Sequence, residues 1–318
     1  MRGIWLEDQK ITQREDLPLP EVTQGEAMIK MRLAGICSTD LELVKGYYPF
    51  KGIPGHEFVG EVVDAPDNPG MVGKRVVGEI SIYCGTCEAC LNGRPSHCEK
   101  RRTLGIQDYP GVFADYLKLP VRNLHLVPDS VTDEQAVFTE LLAAALEIQE
   151  QVHVSPGMRV LVVGAGRLGI LIAQCLAATG CDLKVVVRRE APARLLSSFG
   201  IVSIYPESIL AHKADVVVEV TGSPEGFALS RKAVRARGAL VLKSTFAGDV
   251  SLNLSSVVVD EITLVGSRCG PFKPALKMLA DRRVNPLPLI SARYALEDGV
   301  KAFTHAGEPG VMKVLLYP

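Results

Sequence analysis

Apolar residues follow two different patterns along the chain, and the change comes near Asp129. Before it, short β-branched runs are interrupted by Gly and Pro, which is typical of an antiparallel β domain with many loops. These runs are residues 27–33, 57–63, 75–82 and 112–119. After it, residues 132–152 predict a helix, with Thr132 and Gln135 in the positions of a capping box.

From residue 159 onward, apolar strands alternate with helical stretches. The predicted strands are residues 159–163, 183–187, 215–220, 239–243 and 262–266, and the predicted helices are residues 168–179, 191–199 and 224–234. Apolar strands that alternate with helices indicate a parallel sheet covered on both faces. The chain then returns to mixed helix and strand and ends in a predicted strand at 311–317.

Composition narrows the function classes. The chain has 318 residues, of which 47% are hydrophobic, which is enough to form packed hydrophobic cores. A net charge of −1 offers no basic field for nucleic acid. No apolar run reaches the ~18 residues of a membrane helix, and Glu7 and Asp8 stand where a signal peptide would be apolar. We expect a cytoplasmic protein that acts on a small molecule, without nucleic-acid or membrane partners.

Four of the eight cysteines lie close together, at Cys84, Cys87, Cys90 and Cys98. In a reducing compartment, clustered cysteines bind metal more often than they form disulfides. Four thiolates in one loop can surround a tetrahedral Zn²⁺, and such a closed site leaves no position for substrate. The spacing therefore predicts a structural zinc, with an iron–sulfur cluster as the alternative.

A second set of metal-ligand residues lies upstream, in the sequences Gly-Ile-Cys-Ser-Thr-Asp (35–40) and Gly-His-Glu (55–57). A lone Cys or His is more often structural. Together, however, Cys37, His56 and Glu57 offer the three protein ligands of a catalytic zinc that retains one open position. Asp40 is placed to hydrogen-bond the imidazole without itself binding the metal.

The strand at 159–163 leads into Gly-Ala-Gly-Arg-Leu-Gly and then a helix, which is the context that a dinucleotide fingerprint requires. Gly164 permits the tight turn, Gly166 admits the pyrophosphate, and Gly169 lets the helix pack on the strand. Phosphates would lie at the helix N-terminus, beside Arg167 and Leu168. The alternative is a Gly-rich turn that binds nothing.

The next strand ends in Arg188 and Arg189 instead of the acidic residue that holds the ribose of NAD. A guanidinium suits a 2′-phosphate, so NADP(H) is favoured over NAD(H). The alternative is a pair of solvated arginines, with Glu190 reaching the ribose.

Taken in order, these motifs resemble the zinc-containing medium-chain dehydrogenase/reductase family, which includes alcohol, polyol and sugar dehydrogenases. The resemblance covers essentially the whole chain. It implies an α/β fold with a Rossmann doubly wound parallel sheet inserted in a GroES-like β-rich catalytic domain. The implied domains are the GroES-like catalytic domain at 1–130 with its zinc lobe at 84–98, the Rossmann NADP-binding domain at 131–270, and a return to the catalytic domain at 271–318.

The resemblance also implies roles for individual residues. Cys37 and His56 match two ligands of the catalytic zinc, and Glu57 matches a glutamate that alternates on and off the metal. Glu140 aligns with the remaining ligand, although Leu141 stands where relatives usually have Pro. Which glutamate is the resting ligand stays open.

Thr39 matches the hydroxyl that passes the substrate proton toward solvent, while Glu42 stands where many members have a His. The implied function is hydride transfer between NADP(H) and a secondary alcohol, polyol or sugar-type substrate, or the corresponding carbonyl. A zinc-free quinone or enoyl reductase and a catalytically silent cofactor-binding module are the alternatives. The resemblance also implies a homodimer or homotetramer.

Overall fold

The structure is a computed structural model, and it describes residues 1–245 and 249–318. These residues pack as two compact units, one formed by Met1–Glu140 with Asn285–Pro318 and the other by Leu141–Val284.

Strands predominate in the first unit, whereas strands alternate with helices in the second. The strands are β1 (Gly3–Glu7), β2 (Lys10–Arg14), β3 (Glu26–Ile36), β4 (Glu57–Asp64), β5 (Arg75–Gly78), β6 (Ser81–Ile82), β7 (Arg102–Leu104), β8 (Asp108–Tyr109), β9 (Tyr116–Pro120), β10 (Leu124–Leu126), β11 (Arg159–Val163), β12 (Asp182–Val186), β13 (Val202–Ile204), β14 (Ala214–Glu219), β15 (Val234–Leu242), β16 (Thr263–Gly266), β17 (Ile290–Ala295) and β18 (Lys313–Tyr317). The α-helices are α1 (Ser38–Val44), α2 (Glu88–Leu91), α3 (Asp133–Ala136), α4 (Thr139–Gln151), α5 (Arg167–Ala177), α6 (Glu190–Ser198), α7 (Pro224–Ala233), α8 (Leu254–Val259), α9 (Phe272–Ala280) and α10 (Gly299–Ala306).

The first unit is built around a seven-stranded sheet in the order β10-β5-β4-β3-β18-β17, with β9 also paired to β3. All of its pairs are antiparallel except β17 with β18. The central strand β3 is long enough to pair with β4, β9 and β18 along its length. Its inward side chains, among them Ile29 and Met31, belong to one hydrophobic core.

Two predicted strands of this unit are shorter than expected. The run at 75–82 is divided into β5 and β6, and Asn123 contacts the backbone where they separate, donating its side-chain N–H to the carbonyls of Glu79 and Ser81. The run at 112–119 begins as strand only at Tyr116, because its first residues hydrogen-bond to the loop before β4. There Val112 donates to Gly55.

The second unit contains a six-stranded, fully parallel sheet in the order β13-β12-β11-β14-β15-β16. Numbered within the unit, this order is 3-2-1-4-5-6, which is that of dinucleotide-binding folds. Strands β11 and β14 are buried along most of their length, as expected for a sheet covered on both faces. The predicted α/β fold with a doubly wound sheet is confirmed.

The helix predicted at 132–152 is divided into α3 and α4. The capping box is present: the backbone N–H of Gln135 donates to the hydroxyl of Thr132, and the Gln135 side chain accepts from the Thr132 N–H. The division comes at Val137, because the hydroxyl of Thr139 donates to the Ala136 carbonyl at 2.6 Å and so occupies an acceptor of the helix.

The two units end elsewhere than the predicted domains. Residues 131–140 pack in the first unit, and residues 271–284 pack in the second. The latter difference follows from α9, whose Leu276 is buried and whose Met278 lines one cleft with Leu146 of α4 and Cys175 of α5. The division of the chain by function stays a prediction. Among the described helices, none has the length and apolar character needed to cross a membrane.

Candidate metal and cofactor sites

The antiparallel pairing of β3 with β4 brings two ligand-bearing segments together. Gly35 near the end of β3 is the register partner of Glu57 at the start of β4. Cys37 follows β3 directly and precedes α1, while His56 stands immediately before β4. Residues about twenty positions apart in sequence are therefore neighbours at one edge of the sheet.

Cys37, His56 and Glu57 form one compact group. Each offers a ligand atom, and these atoms all lie within 4.8 Å of one another. The three side chains are buried, with exposed fractions of 8%, 3% and 0%. This is the arrangement expected from the sequence, although the role of each residue stays a proposal.

Asp40 lies behind this group and contacts two of its members. Its Oδ2 accepts a hydrogen bond from the backbone N–H of Cys37 at 2.8 Å, and its Oδ1 lies 3.3 Å from Nδ1 of His56. Burial opposes protonation of His56, but the charges of Asp40 and Cys37 outweigh it and raise the pKa of His56 well above its usual value. Asp40 therefore orients both ligand segments.

The group has the chemistry of a metal site. Within the described part of the chain, Oε1 of Glu57 is buried without a hydrogen-bond partner. Buried polar atoms are almost always satisfied, so an unpaired carboxylate oxygen beside a thiol and an imidazole indicates a missing partner. Thiolate, imidazole and carboxylate are the donors that zinc prefers, and the residues fit such an ion.

Glu140, Thr39 and Glu42 are not members of this group of ligand atoms. Glu140 is half-buried in the first turn of α4, and its carboxylate is outside the cluster of ligand atoms. Oγ1 of Thr39 lies 3.9 Å from Sγ of Cys37. Glu42 accepts from Lys45 at 2.8 Å on the exposed side of α1.

The sequence reasoning missed Lys313, a completely buried lysine whose Nζ forms an ion pair with Oε2 of Glu57. A signal was available, because Lys313 is the one charged residue of an otherwise apolar terminal strand. A buried lysine requires a partner of opposite charge, but the pattern alone gave no indication of which carboxylate it meets.

The four clustered cysteines also converge, around α2. Their Sγ atoms are separated by 3.5 Å (Cys87–Cys90 and Cys84–Cys98), 3.8 Å (Cys87–Cys98) and 4.0 Å (Cys84–Cys90). A tetrahedron of thiolates with Zn–S bonds of about 2.3 Å has edges of about 3.8 Å. The spacing matches a closed four-thiolate site.

Backbone groups favour the thiolate form at one of these cysteines. The N–H groups of Thr86 and Cys87 donate to Sγ of Cys84, each at 3.4 Å, and the Thr86 hydroxyl adds a third contact at 3.5 Å. The hydrogen bonds from Thr86 are the main reason that the pKa of Cys84 falls to about 5. These hydrogen bonds favour anionic sulfur at Cys84, whereas burial raises the pKa of Cys90 to about 12.

The three glycines of the turn between β11 and α5 have different surroundings. Gly164 has a φ of +119°, a value that favours glycine. A Cβ on Gly169 would lie 2.1 Å from the carbonyl oxygen of Gly164, so only glycine allows this close packing. A Cβ on Gly166, at the N-cap of α5, would meet nothing within 4 Å.

The open space at Gly166 lies at the end of a helix whose first N–H groups have no intrahelical acceptor, which suits an anion. Arg167 and Leu168 begin that helix and are half-buried.

Arg188 and Arg189 are exposed at the carboxyl end of β12, where a ribose binds in folds of this topology. Glu190 has an arginine, Arg194, beside it on the same helix. It lies 3.6 Å from Arg194 one helical turn on, and its side chain is 73% exposed. An exposed pair of this kind contributes little free energy, so the alternative in which Glu190 holds the ribose stays open.

A doubly wound sheet, a GroES-like β unit and two groups of metal-ligand residues together define an oxidoreductase of the zinc-binding alcohol dehydrogenase type. Two family models match the chain: the alcohol dehydrogenase GroES-like domain over residues 23–129 and the zinc-binding dehydrogenase over residues 168–281. The chain belongs to the zinc-containing medium-chain dehydrogenase/reductase family.

Individual relatives agree with this membership. A sorbitol dehydrogenase of Halalkalibacterium halodurans is 30% identical over 94% of this chain and 94% of its own. A D-arabitol-phosphate dehydrogenase of Enterococcus avium is 28% identical over 95% and 92%. Among solved structures, a zinc-binding dehydrogenase of Sinorhizobium meliloti 1021 bound to NADP is 26% identical, covers 100% of this chain and 99% of its own, and has a TM-score of 0.92.

Proposed function

We propose that this enzyme transfers a hydride between NADP(H) and a secondary alcohol, polyol or sugar-type substrate, or the corresponding carbonyl, with a catalytic zinc. The observation that carries the proposal is the buried convergence of Cys37, His56 and Glu57, whose ligand atoms lie within 4.8 Å of one another. The names of the relatives support the polyol class, since sorbitol and D-arabitol phosphate are a polyol and a polyol phosphate.

We assign the catalytic metal to Cys37, His56 and one glutamate, either Glu57 or Glu140. When bound, the metal supplies a Lewis acid, and the dinucleotide supplies or accepts the hydride. The chain's own residues bind and orient these groups. Asp40 holds the imidazole of His56 and the backbone of Cys37, and burial keeps bulk water from the ligand atoms.

Thr39 is proposed to take the substrate proton through its hydroxyl, because it lies next to Cys37 at the start of α1. Glu42 stands where other members have a histidine, and its carboxylate pairs with Lys45 at 2.8 Å. From Thr39 the proton would pass to a carboxylate or to water.

For the dinucleotide we propose Gly164, Gly166, Arg167, Leu168 and Gly169 as the pyrophosphate-binding turn. Arg188 and Arg189 are proposed to hold the 2′-phosphate of NADP(H), which agrees with the NADP named in the similar structure from Sinorhizobium meliloti. The cysteines Cys84, Cys87, Cys90 and Cys98 are proposed to bind a second, structural zinc. A homodimer or homotetramer and a cytoplasmic location stay predictions.

One preparation tests the proposal. Elemental analysis should give two zinc ions per chain, and fluorescence titration should show tighter binding of NADPH than of NADH. A panel of alcohols and polyols, followed by nicotinamide absorbance, should then reveal turnover.

Replacing Cys37 with Ser or His56 with Ala should abolish that turnover and leave NADPH binding largely intact. Full activity in either variant would contradict the zinc mechanism, and turnover of quinones or enoyl substrates without metal would favour a zinc-free reductase.

A further inference from the structure

Lys313 is the first residue of β18, and none of its side chain is exposed. Burying an ammonium group costs far more than burying an apolar side chain of the same size, so its position requires compensation. The compensation comes from three neighbours. Nζ forms an ion pair with Oε2 of Glu57, donates to the carbonyl of Ile36 at 3.4 Å, and lies 5.7 Å from the centre of the Phe138 ring.

Each of these neighbours lies in a segment that carries a proposed metal ligand. Ile36 precedes Cys37, Glu57 follows His56, and Phe138 stands two positions before Glu140. A single buried cation therefore contacts all three segments that carry the ligands. The local backbone also leaves room for it, since a Cβ on Gly35 would come within 2.7 Å of the Glu57 carboxylate and 3.3 Å of the Lys313 side chain.

The two oxygens of the Glu57 carboxylate have different surroundings. Oε2 is held by Lys313, whereas Oε1 is buried and, among the described residues, has no hydrogen-bond partner. A zinc ion with the thiolate of Cys37, Asp40 and Glu57 would sum to one net negative charge in a buried site. The ammonium of Lys313 cancels that charge before any contribution from Glu140.

We propose that Lys313 is a positioning residue that competes with the metal for the carboxylate of Glu57. By holding Oε2 and neutralising the carboxylate, it prevents Glu57 from becoming a permanent ligand and so keeps the open position of the metal available. This inference rests on the proposed function, because it requires that Cys37 and His56 bind the metal.

The test is a cycle of Lys313→Met, Glu57→Gln and the double variant, each with Co²⁺ exchanged into the catalytic site. In Lys313→Met the freed carboxylate should bind the metal. We expect Co²⁺ to bind at least tenfold more tightly, with an absorption spectrum altered toward higher coordination, while turnover falls. In the Glu57→Gln background, the same Lys313→Met change should leave Co²⁺ affinity and spectrum unchanged. Lys301→Met, which removes an exposed lysine, is the matched control.

Several outcomes separate the possibilities. If Lys313→Met binds Co²⁺ with the affinity and spectrum of the unmodified enzyme, or raises the affinity equally without Glu57, the proposal is overturned. If Lys313→Met does not fold, Lys313→Gln retains an N–H donor without the charge, and the same two measurements decide there. If Cys37→Ser leaves the Co²⁺ absorption of the unmodified enzyme unchanged, the zinc site at Cys37 is wrong and the proposed function fails with it.

Discussion

The Nδ1 atom of His56 lies 3.3 Å from Oδ1 of Asp40, and both side chains are buried. The other oxygen of Asp40 accepts from the backbone N–H of Cys37, so one carboxylate fixes two proposed ligands. Replacing Asp40 with Asn retains an acceptor and removes the charge. We expect zinc affinity at the catalytic site to fall about 10- to 100-fold, as is usual when a residue that orients a ligand is changed. Competition with a chromogenic chelator measures this.

Glu42→Gln is the matched control for Asp40→Asn, since Glu42 is an acidic residue of the same helix that faces Lys45 and not the ligands. It should retain zinc affinity. Equal zinc affinity in Asp40→Asn and the unmodified enzyme would show that Asp40 does not position His56.

The three glycines of the turn after β11 should respond differently to alanine. Gly166→Ala places a methyl group in open space, so folding should be unaffected while the methyl group obstructs the approach of a pyrophosphate. Gly169→Ala places it 2.1 Å from the Gly164 carbonyl oxygen, so the helix must shift and the protein should lose stability. NADPH titration and thermal unfolding distinguish the two effects. Unchanged NADPH affinity in Gly166→Ala would remove the turn from the cofactor site.

Much of the second unit could be predicted from the sequence because its signals are local. The strand at 159–163 and the turn that follows are specified by adjacent residues, and β11 has the predicted bounds. The pairing of Glu57 with Lys313 joins residues 256 positions apart and has no local signal. The break between α3 and α4 was missed for a related reason, because helical periodicity does not reveal that the Thr139 hydroxyl binds the Ala136 carbonyl.

The exposed pair Arg188 and Arg189 makes a prediction about cofactor choice. Changing both to Gln should weaken NADPH binding by about tenfold or more, since a charge-assisted hydrogen bond contributes roughly 1.5–3 kcal/mol. NADH lacks the 2′-phosphate, so its affinity should change little. Fluorescence titration with both cofactors gives the ratio. Arg194→Gln, also an exposed arginine, should leave the ratio unchanged, and a parallel loss for both cofactors in the double variant would contradict the assignment.

The four-cysteine lobe should stabilise the fold without taking part in turnover directly. Cys98 is the most buried of its ligands, at 5% exposed. In Cys98→Ser we expect one zinc per chain instead of two, and a melting temperature lower by about 10 °C, because a structural zinc contributes several kcal/mol to folding. Elemental analysis and thermal unfolding measure both. Cys181→Ser in the second unit is the control, and iron in place of zinc would overturn the metal assignment.

Asp215 on β14 gives a prediction about acid stability that is independent of either metal. Its Oδ1 accepts from Nε of Arg235 at 2.6 Å, and its Oδ2 accepts from the backbone N–H of Arg159 at 2.7 Å. Burial opposes ionisation of this carboxyl, but the hydrogen bonds from Arg235 and Arg159 outweigh it and lower its pKa. A lowered pKa in the folded state means stability that is present above the unfolded value of about 3.9 and is lost as the pH falls through the folded value.

Asp215→Asn should therefore lower the free energy of unfolding by about 1–2 kcal/mol near neutral pH, where the carboxylate is charged. The difference between variant and parent should shrink as the pH falls from about 3.9 through the lower folded pKa, because the carboxyl becomes protonated first in the unfolded and then in the folded parent. Urea unfolding at a series of pH values measures this difference. Asp182→Asn, which changes an exposed aspartate of the same sheet, should show almost none. A deficit in Asp215→Asn that stays constant down to the acid limit would mean that shape, and not charge, makes Asp215 stabilising.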